Sequence, residues 1–368
     1  MNNSKFFEVA IGLIPGIGSS LTRQLVSYCG SVEQVFKYPK GKLLRIPGIG
    51  EKHAMAIIEK KVFPEAEKIL KKAEQQNVKL LFYTDKEYPV RLRQINDAPV
   101  LIYYKGNADL NNSKSIGIVG TRRATDYGKE LTQKIVNDLM PHQPLIVSGL
   151  AYGVDICAHK AAVACGLPTI GVMATGVDRI YPPVHKSTAL KMQDRGGVLS
   201  EYVFGTEPDA HRFPSRNRII AGMCDAVIVV EAAVSGGALI TAEIANDYNR
   251  EVLAVPGKIG EEYSSGCNNL IKKHKASIYT GVKDIEYLLN WDLDQSAPKV
   301  NNCAWDRALY TDDENCILEL LAGVEFLHVD EISWKSQISL SRLASVLLGL
   351  ECRNVIKQLP GKKYKFTS

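Results

Sequence analysis

The sequence predicts an α/β chain centred on a doubly wound, Rossmann-like parallel sheet, with a helical domain before it and a small winged-helix domain after it. Three observations predict this. From Ser115 onward short apolar runs alternate with helical patterns, the mark of strands joined by crossover helices. Near the N-terminus Leu-Ile-Pro-Gly-Ile-Gly at 13–18 recurs as Arg-Ile-Pro-Gly-Ile-Gly at 45–50. Beyond residue 311 three helical stretches lead into a Pro-Gly turn among lysines.

Each copy of the repeat precedes a helical stretch, Ser19–Tyr28 and Glu51–Lys60. Two such units make a helix-hairpin-helix (SAM-like) domain over 1–75. A Pro-Gly-x-Gly turn leaves backbone N–H groups at the next helix start, where a phosphate oxygen can sit; it also serves as a plain tight turn. After a helix at Glu65–Gln76 comes the strand-like Val78–Thr84; the stretch from Tyr88 then leads to Pro99–Tyr104 and a Gly106 turn, and Asn111–Ser113 marks a loop. Residues 76–114 read as a connector packed on the sheet domain.

The sheet domain spans 115–290. Six strands are expected, at Ile116–Val119, Leu145–Val147, Thr169–Met173, Gly197–Ser200, Ala226–Val230 and Glu251–Val255. Helices are expected at Lys129–Leu139, Ile156–Cys165, Thr188–Asp194, Arg216–Met223 and Thr241–Tyr248. Ligands of such a sheet bind at the C-terminal ends of its strands. A polar, aperiodic linker occupies 291–310. The remainder, 311–368, reads as three helices (Asp312–Gly323, Val329–Ser336, Ser339–Leu359) and a wing at Pro360–Phe366. Its charge is lopsided: Thr311–Trp334 holds seven acids and no Lys or Arg, and Lys335–Ser368 seven bases and one acid.

Composition narrows the function classes. The 368 residues are 45% hydrophobic and 23% charged, which excludes wholesale disorder. No apolar run reaches the roughly 18 residues of a membrane span, and Glu8 and Pro15 break up any signal-peptide core. None of the eight cysteines forms a Cys-x-x-Cys pair, so a reducing cytoplasm and no zinc site are expected. A net charge of +5 permits a polyanionic partner without demanding one, so local charge decides.

Four loops carry the chemistry. Gly120-Thr121-Arg122 follows the first sheet strand; it lacks the Gly-x-Gly-x-x-Gly pattern and the later acid of a dinucleotide site, so no NAD is expected. It can grip phosphate through backbone N–H, hydroxyl and guanidinium. Ser148-Gly149, opening Ser148–Asp155, offers small residues for close approach, with Asp155 as a helix cap and His159 as a packed or solvent-facing side chain. His211–Arg218 is the densest feature, with three arginines, Phe213 and Asn217. Charge for a backbone and a ring for a base suit single-stranded nucleic acid, and Arg216 and Arg218 at a helix start call for a compensating anion. Ser235-Gly236 and Thr241 form a glycine-loosened loop suited to phosphate or ribose. With no nucleophile–base pair, no paired carboxylates and no metal-spaced histidines, the set reads as a binding groove, non-catalytic and without a cofactor.

These residues resemble the DNA-processing protein A (DprA/Smf) family. The likeness rests on Gly117–Thr121, Ser148–Asp155 with Ala158-His159, Gly176–Pro183, Phe213–Gly222, Asp225–Ala232 and Val255–Gly257, in that order, the run Phe213–Gly222 being the most specific. The resemblance implies a cytoplasmic homodimer that binds and protects single-stranded DNA without catalysis and helps load RecA during recombination and natural transformation. It places Gly120, Thr121, Arg122, Phe213, Arg216, Asn217 and Arg218 along the DNA. Tyr152 departs from the arginine common in the family. The alternative is a nucleotide phosphoribohydrolase-like enzyme with Glu243 as its carboxylate, a reading that explains neither the hairpin repeat nor the arginine run. For the winged-helix tail the acidic first half suggests a protein contact, or a secondary DNA contact through Lys362, Lys363 and Lys365.

Overall fold

The computed structural model describes residues 3–291, 307–322, 326–359 and 362–366. They fall into two compact units divided after Trp291.

In the first unit the repeat builds helices Ser19–Cys29 and Glu51–Glu59 after its two turns. Ile14, Ile17, Ile46 and Ile49, at matching positions of the copies, are all buried. The glycine of each turn adopts a positive φ, +80° at Gly16 and +79° at Gly48, which costs an L side chain steric strain. The turns also pack on each other's helices. A Cβ on Gly16 would lie 2.9 Å from His53 Nε2, and one on Gly48 2.9 Å from Leu21 Cδ2; Leu21 and His53 are themselves equivalent positions. The hairpins are therefore related by a pseudo-two-fold, and their apolar residues continue into the sheet's cluster through Tyr103, Leu150 and Val198.

The sheet has nine strands: β1 Lys79–Phe82, β2 Leu101–Gly106, β3 Ser115–Val119, β4 Leu145–Ser148, β5 Thr169–Val172, β6 Gly197–Ser200, β7 Ala226–Val229, β8 Glu251–Ala254 and β9 Ser277–Ile278. Their order is β1-β2-β6-β5-β4-β3-β7-β8-β9. All pairs from β6 to β9 are parallel. Both faces are covered, with the period of two that a pleat requires. On β3 and β7, Ile116, Ile118, Ala226 and Ile228 join one core cluster, whereas Val119, Val227 and Val229 join the other.

Three sequence expectations change here. The connector is part of the sheet: β2 pairs antiparallel with β6, Tyr103 opposite Ser200, and β1 closes that edge. Its partner strand lies far along the chain, so local pattern could not show the pairing. The strand count rises from six to nine: β1 and β2 come from the connector, and β9 has only two exposed residues and too short a pattern to read. The helix expected from Arg216 begins at Arg212; Pro214 sits in its first turn, where the missing N–H is harmless.

The second unit has helices Asp312–Leu321, Val329–Ser336 and Leu340–Cys352. Its three-stranded sheet, ordered β10-β12-β11, uses β10 Leu327–His328, β11 Ile356–Leu359 and β12 Lys363–Phe366. The third helix stops at Cys352, not Leu359, where Asn354 turns to φ +56° and the chain enters β11. Ile317, Leu343, Leu347 and Ile356 form the core. Apart from Trp291 and residues 307–310, the expected linker lies outside the described residues.

Candidate nucleic-acid interface

After β3 the chain runs on to β4, β5 and β6 to one side, and β7 starts on the other side of β3. This reversal opens a crevice at the carboxyl ends of β3 and β7, the place where open α/β sheets bind ligands. A groove of 790 Å³ occupies it, lined by Gly120, Thr121, Arg122, Phe213, Arg216, Asn217, Ser235, Gly236 and Thr241 of the expected set.

The loop after β3 is held from below. Thr121 donates its N–H to the Glu231 carbonyl (2.7 Å), and the Thr121 carbonyl accepts from Val154 (3.2 Å). The buried Glu231 carboxylate accepts from Thr125 N–H (3.0 Å) and hydroxyl (2.5 Å). Thr125 in turn caps helix Asp126–Asp138. Gly153 makes the close approach possible: its φ is +76° and a Cβ there would lie 2.1 Å from the Thr121 carbonyl oxygen. The phosphate grip expected from this loop's backbone is thus reduced, because the Thr121 N–H is engaged inside the protein. What the loop presents outward is cationic. Arg122 and Arg123 are exposed, and neither has a carboxylate partner among the described residues.

Helix Arg212–Met223 supplies the facing wall. The Arg122 guanidinium lies 5.1 Å from the Phe213 ring centroid, within cation–π range. Phe213 in turn stands 6.0 Å from Tyr181. Tyr181 and Tyr263, also in the groove lining, had no role in the sequence reading; the Gly176–Pro183 stretch containing Tyr181 was the available signal. Ser235 and Gly236 are exposed on the lining. Helix Gly237–Asp247 starts there without a side-chain cap, so its first N–H groups and positive dipole end face the groove.

The arginines of the dense run divide by environment. Arg216 is buried, donating to the carbonyls of Gly149 (2.6 Å) and Val172 and to Asn217 Oδ1 (3.2 Å). Asp155 is near enough to attract it, and the Asp155 carboxylate accepts from Gly149 and Ala151 N–H (3.1 and 3.4 Å). Burial pulls Arg216 down to about 10, against the pull of Asp155, and burial raises Asp155 despite Arg216. Asp155 and Arg216 both hold the Gly149 backbone, which fixes the Ser148–Asp155 loop to the groove helix. Arg218 does not line the groove: it pairs with Glu201, and its Nε lies 3.7 Å from Asp97. With the helix starting at Arg212, neither arginine lies in its first turn, and the anions that compensate Arg218 are the protein's own carboxylates.

Ser148 and Gly149 are likewise withdrawn. Ser148 is fully buried and donates to the Ile118 carbonyl (2.6 Å), and Gly149 lies under Arg216. Asn217 straps the far loop by donating to the Gly237 carbonyl (3.2 Å), which also accepts from Thr241 (3.0 Å). Tyr152, next in the chain to the groove-lining Ala151, is about half exposed, its ring edge-on to His185 at 5.0 Å. His159 is fully buried against Thr169 (2.7 Å), and burial, with His185 and Arg216, lowers it to about 3. Glu243 is exposed, pairs with Lys275 (2.8 Å) and does not line the groove. Among the described residues no group of three His, Cys, Asp or Glu side chains could hold a metal ion, and no helix is long and apolar enough to cross a membrane.

Residues 79–290 match the family described as DNA recombination-mediator protein A, and 305–362 match the DprA winged helix domain. Protein Smf of Synechocystis is 32% identical over 99% of each chain. DNA processing protein DprA of Streptococcus pneumoniae is 44% identical over 54% of this chain and 70% of its own. The crystal structure of the Streptococcus pneumoniae protein superposes with a TM-score of 0.67 at 34% identity, covering 78% of this chain and 98% of that one. The Helicobacter pylori DNA processing protein A, solved to describe its single-stranded DNA binding mode, gives 0.53 at 28% identity over 58% of this chain and 96% of its own. With its sheet domain and its winged helix both matched, the chain belongs to the DNA processing protein A (DprA/Smf) family.

Proposed function

We propose that this DNA-processing protein binds single-stranded DNA in the groove at the β3–β7 crevice, without cleaving or modifying it. The observation that carries the reading is the pairing of unneutralised Arg122 and Arg123 with the rings of Phe213 and Tyr181 along one open groove. Cations hold a phosphate backbone and ring faces accept unpaired bases of any identity. The uncapped helix start at Gly236 adds a further phosphate position. Ser148, Gly149, Arg216, Asn217 and Thr241 shape the groove in this reading, and Arg218 stands behind it.

As part of the same reading the chain works in the cytoplasm as a homodimer, protects the strand and passes it to RecA in recombination and transformation. Family membership supports this part. Anisotropy of labelled oligo-dT and of a duplex of equal length, titrated with salt, tests the binding. Single strands are expected to bind more tightly, with no sequence preference and a steep salt slope; salt-insensitive binding that favours duplex refutes the groove. Free base released from nucleoside monophosphates would favour the phosphoribohydrolase alternative. Faster RecA assembly on oligonucleotide coated with single-strand-binding protein tests the hand-over.

A further inference from the structure

The wing of the second unit concentrates positive charge that the protein leaves uncompensated. The strand register sets Lys357 directly opposite Lys365, and Lys363 opposite Leu359. Alternation puts these side chains on one face of the hairpin, while Ile356, Tyr364 and Phe366 face the core. Directly opposed like charges destabilise a strand pair, with side chains starting about 4.5–5.5 Å apart. Lys357, Lys362 and Lys365 are exposed, and none has an ion-pair partner among the described residues. Lys363 lies 4.3 Å from the Phe326 ring.

Three of the seven acids in the first half of this unit do not answer that charge. Asp313, Glu314 and Glu319 are each taken by an arginine: Arg342, Arg353 and Arg307. Their negative charge is to that extent cancelled within the unit. The helix that a winged-helix domain would lay in a groove, Leu340–Cys352, exposes Arg342, Ala344, Ser345, Leu348 and Cys352. Of these, Arg342 is engaged by Asp313, which leaves the Ser345 hydroxyl as the uncharged polar group on that exposed stretch.

From this we infer that the wing, through Lys357, Lys365 and their neighbour Lys363, is a second nucleic-acid contact that grips the sugar-phosphate backbone and ignores the bases. The charge is on the outer face, Tyr364 and Phe366 pack on the core, and the exposed Phe326 ring is covered by the Lys363 ammonium, so the contact is made chiefly by cations. It therefore takes single-stranded and duplex DNA alike, unlike the aromatic groove, and the inference goes beyond the groove reading.

The test uses the full chain carrying Lys357→Gln and Lys365→Gln, with Lys357→Arg and Lys365→Arg as the charge-retaining control. Affinity for oligo-dT and for duplex is measured from 50 to 200 mM salt. Losing two phosphate contacts is expected to flatten the log–log slope by about 1.8 on duplex and about 1.4 on single strands, with the arginine control unchanged. Lys365→Gln alone should give half of each change, so a folding defect in the double variant does not decide the matter. Unchanged slopes on both ligands overturn the inference and leave the wing to a protein partner, as does a loss confined to single strands. Failure of the groove reading is separately visible: Arg122→Gln would then leave oligo-dT binding intact while the wing variant still lowers the duplex slope.

Discussion

Arg122 and Arg218 stand in similar sequence surroundings, yet the structure assigns them opposite consequences on substitution. Arg122→Gln removes an exposed guanidinium that faces the groove and lies over Phe213. A charge-assisted contact to phosphate contributes about 1.5–3 kcal/mol, so oligo-dT affinity should fall by about 10- to 150-fold, and the salt slope by about 0.7. Thermal stability should not move, since Arg122 has no ion-pair partner among the described residues to strand. Arg218→Gln instead breaks the part-buried pair with Glu201. The carboxylate left behind is mostly desolvated, so the loss of about 1.5–3 kcal/mol falls on stability, lowering Tm by roughly 3–12 °C for a unit of this size. The salt slope for oligo-dT should stay at the wild-type value. Fluorescence anisotropy across a salt series and differential scanning calorimetry on the same preparations separate the two effects. The reasoning is refuted if Arg218→Gln flattens the slope as much as Arg122→Gln does, or if Arg122→Gln binds like wild type.

Asp155→Asn should weaken the hold on Gly149 and Ala151 N–H and destabilise the protein by about 1–3 kcal/mol, read as a drop in the denaturant midpoint, with Asp155→Glu intermediate. His159 is neutral in the folded state because its pKa is lowered to about 3, whereas unfolding restores the ordinary value near 6.5. The unfolded chain therefore binds the extra proton between these limits, and stability is full above pH 6.5 and falls by about 1.4 kcal/mol per pH unit below it; His159→Gln should flatten that slope in urea unfolding between pH 5 and 7.5. Tyr152→Ala should weaken oligo-dT binding by about 1–3 kcal/mol if the exposed ring stacks a base, while Tyr152→Arg should steepen the salt slope by about 0.7; identical titrations for all three proteins would place the strand elsewhere.

The fold was legible wherever the signal was local. The repeated Pro-Gly-Ile-Gly turns, the buried runs of β3 to β8 and their crossover helices depend on spacing within a dozen residues. The strand-end loops of the groove followed, because a parallel sheet places its loops on a common edge. Side-chain direction was not legible in the same way. Ser148, Gly149, Arg216 and Arg218 belong to the right loops, but hydrogen bonds to Ile118, Val172, Asp155 and Glu201 turn them inward or away. The edge strands β1 and β2 were missed as sheet for a similar reason: their partner, β6, is remote in sequence.

By itself the sequence determined the family, the order of domains and which loops meet at the crevice, since these rest on periodicity, turn chemistry and a motif read along the chain. Only the tertiary structure decided which cations remain free for a ligand. A guanidinium is available to phosphate when no carboxylate or carbonyl of the protein has already satisfied it, and the groups that satisfy Arg216 and Arg218 come from strands and loops that the fold brings to them.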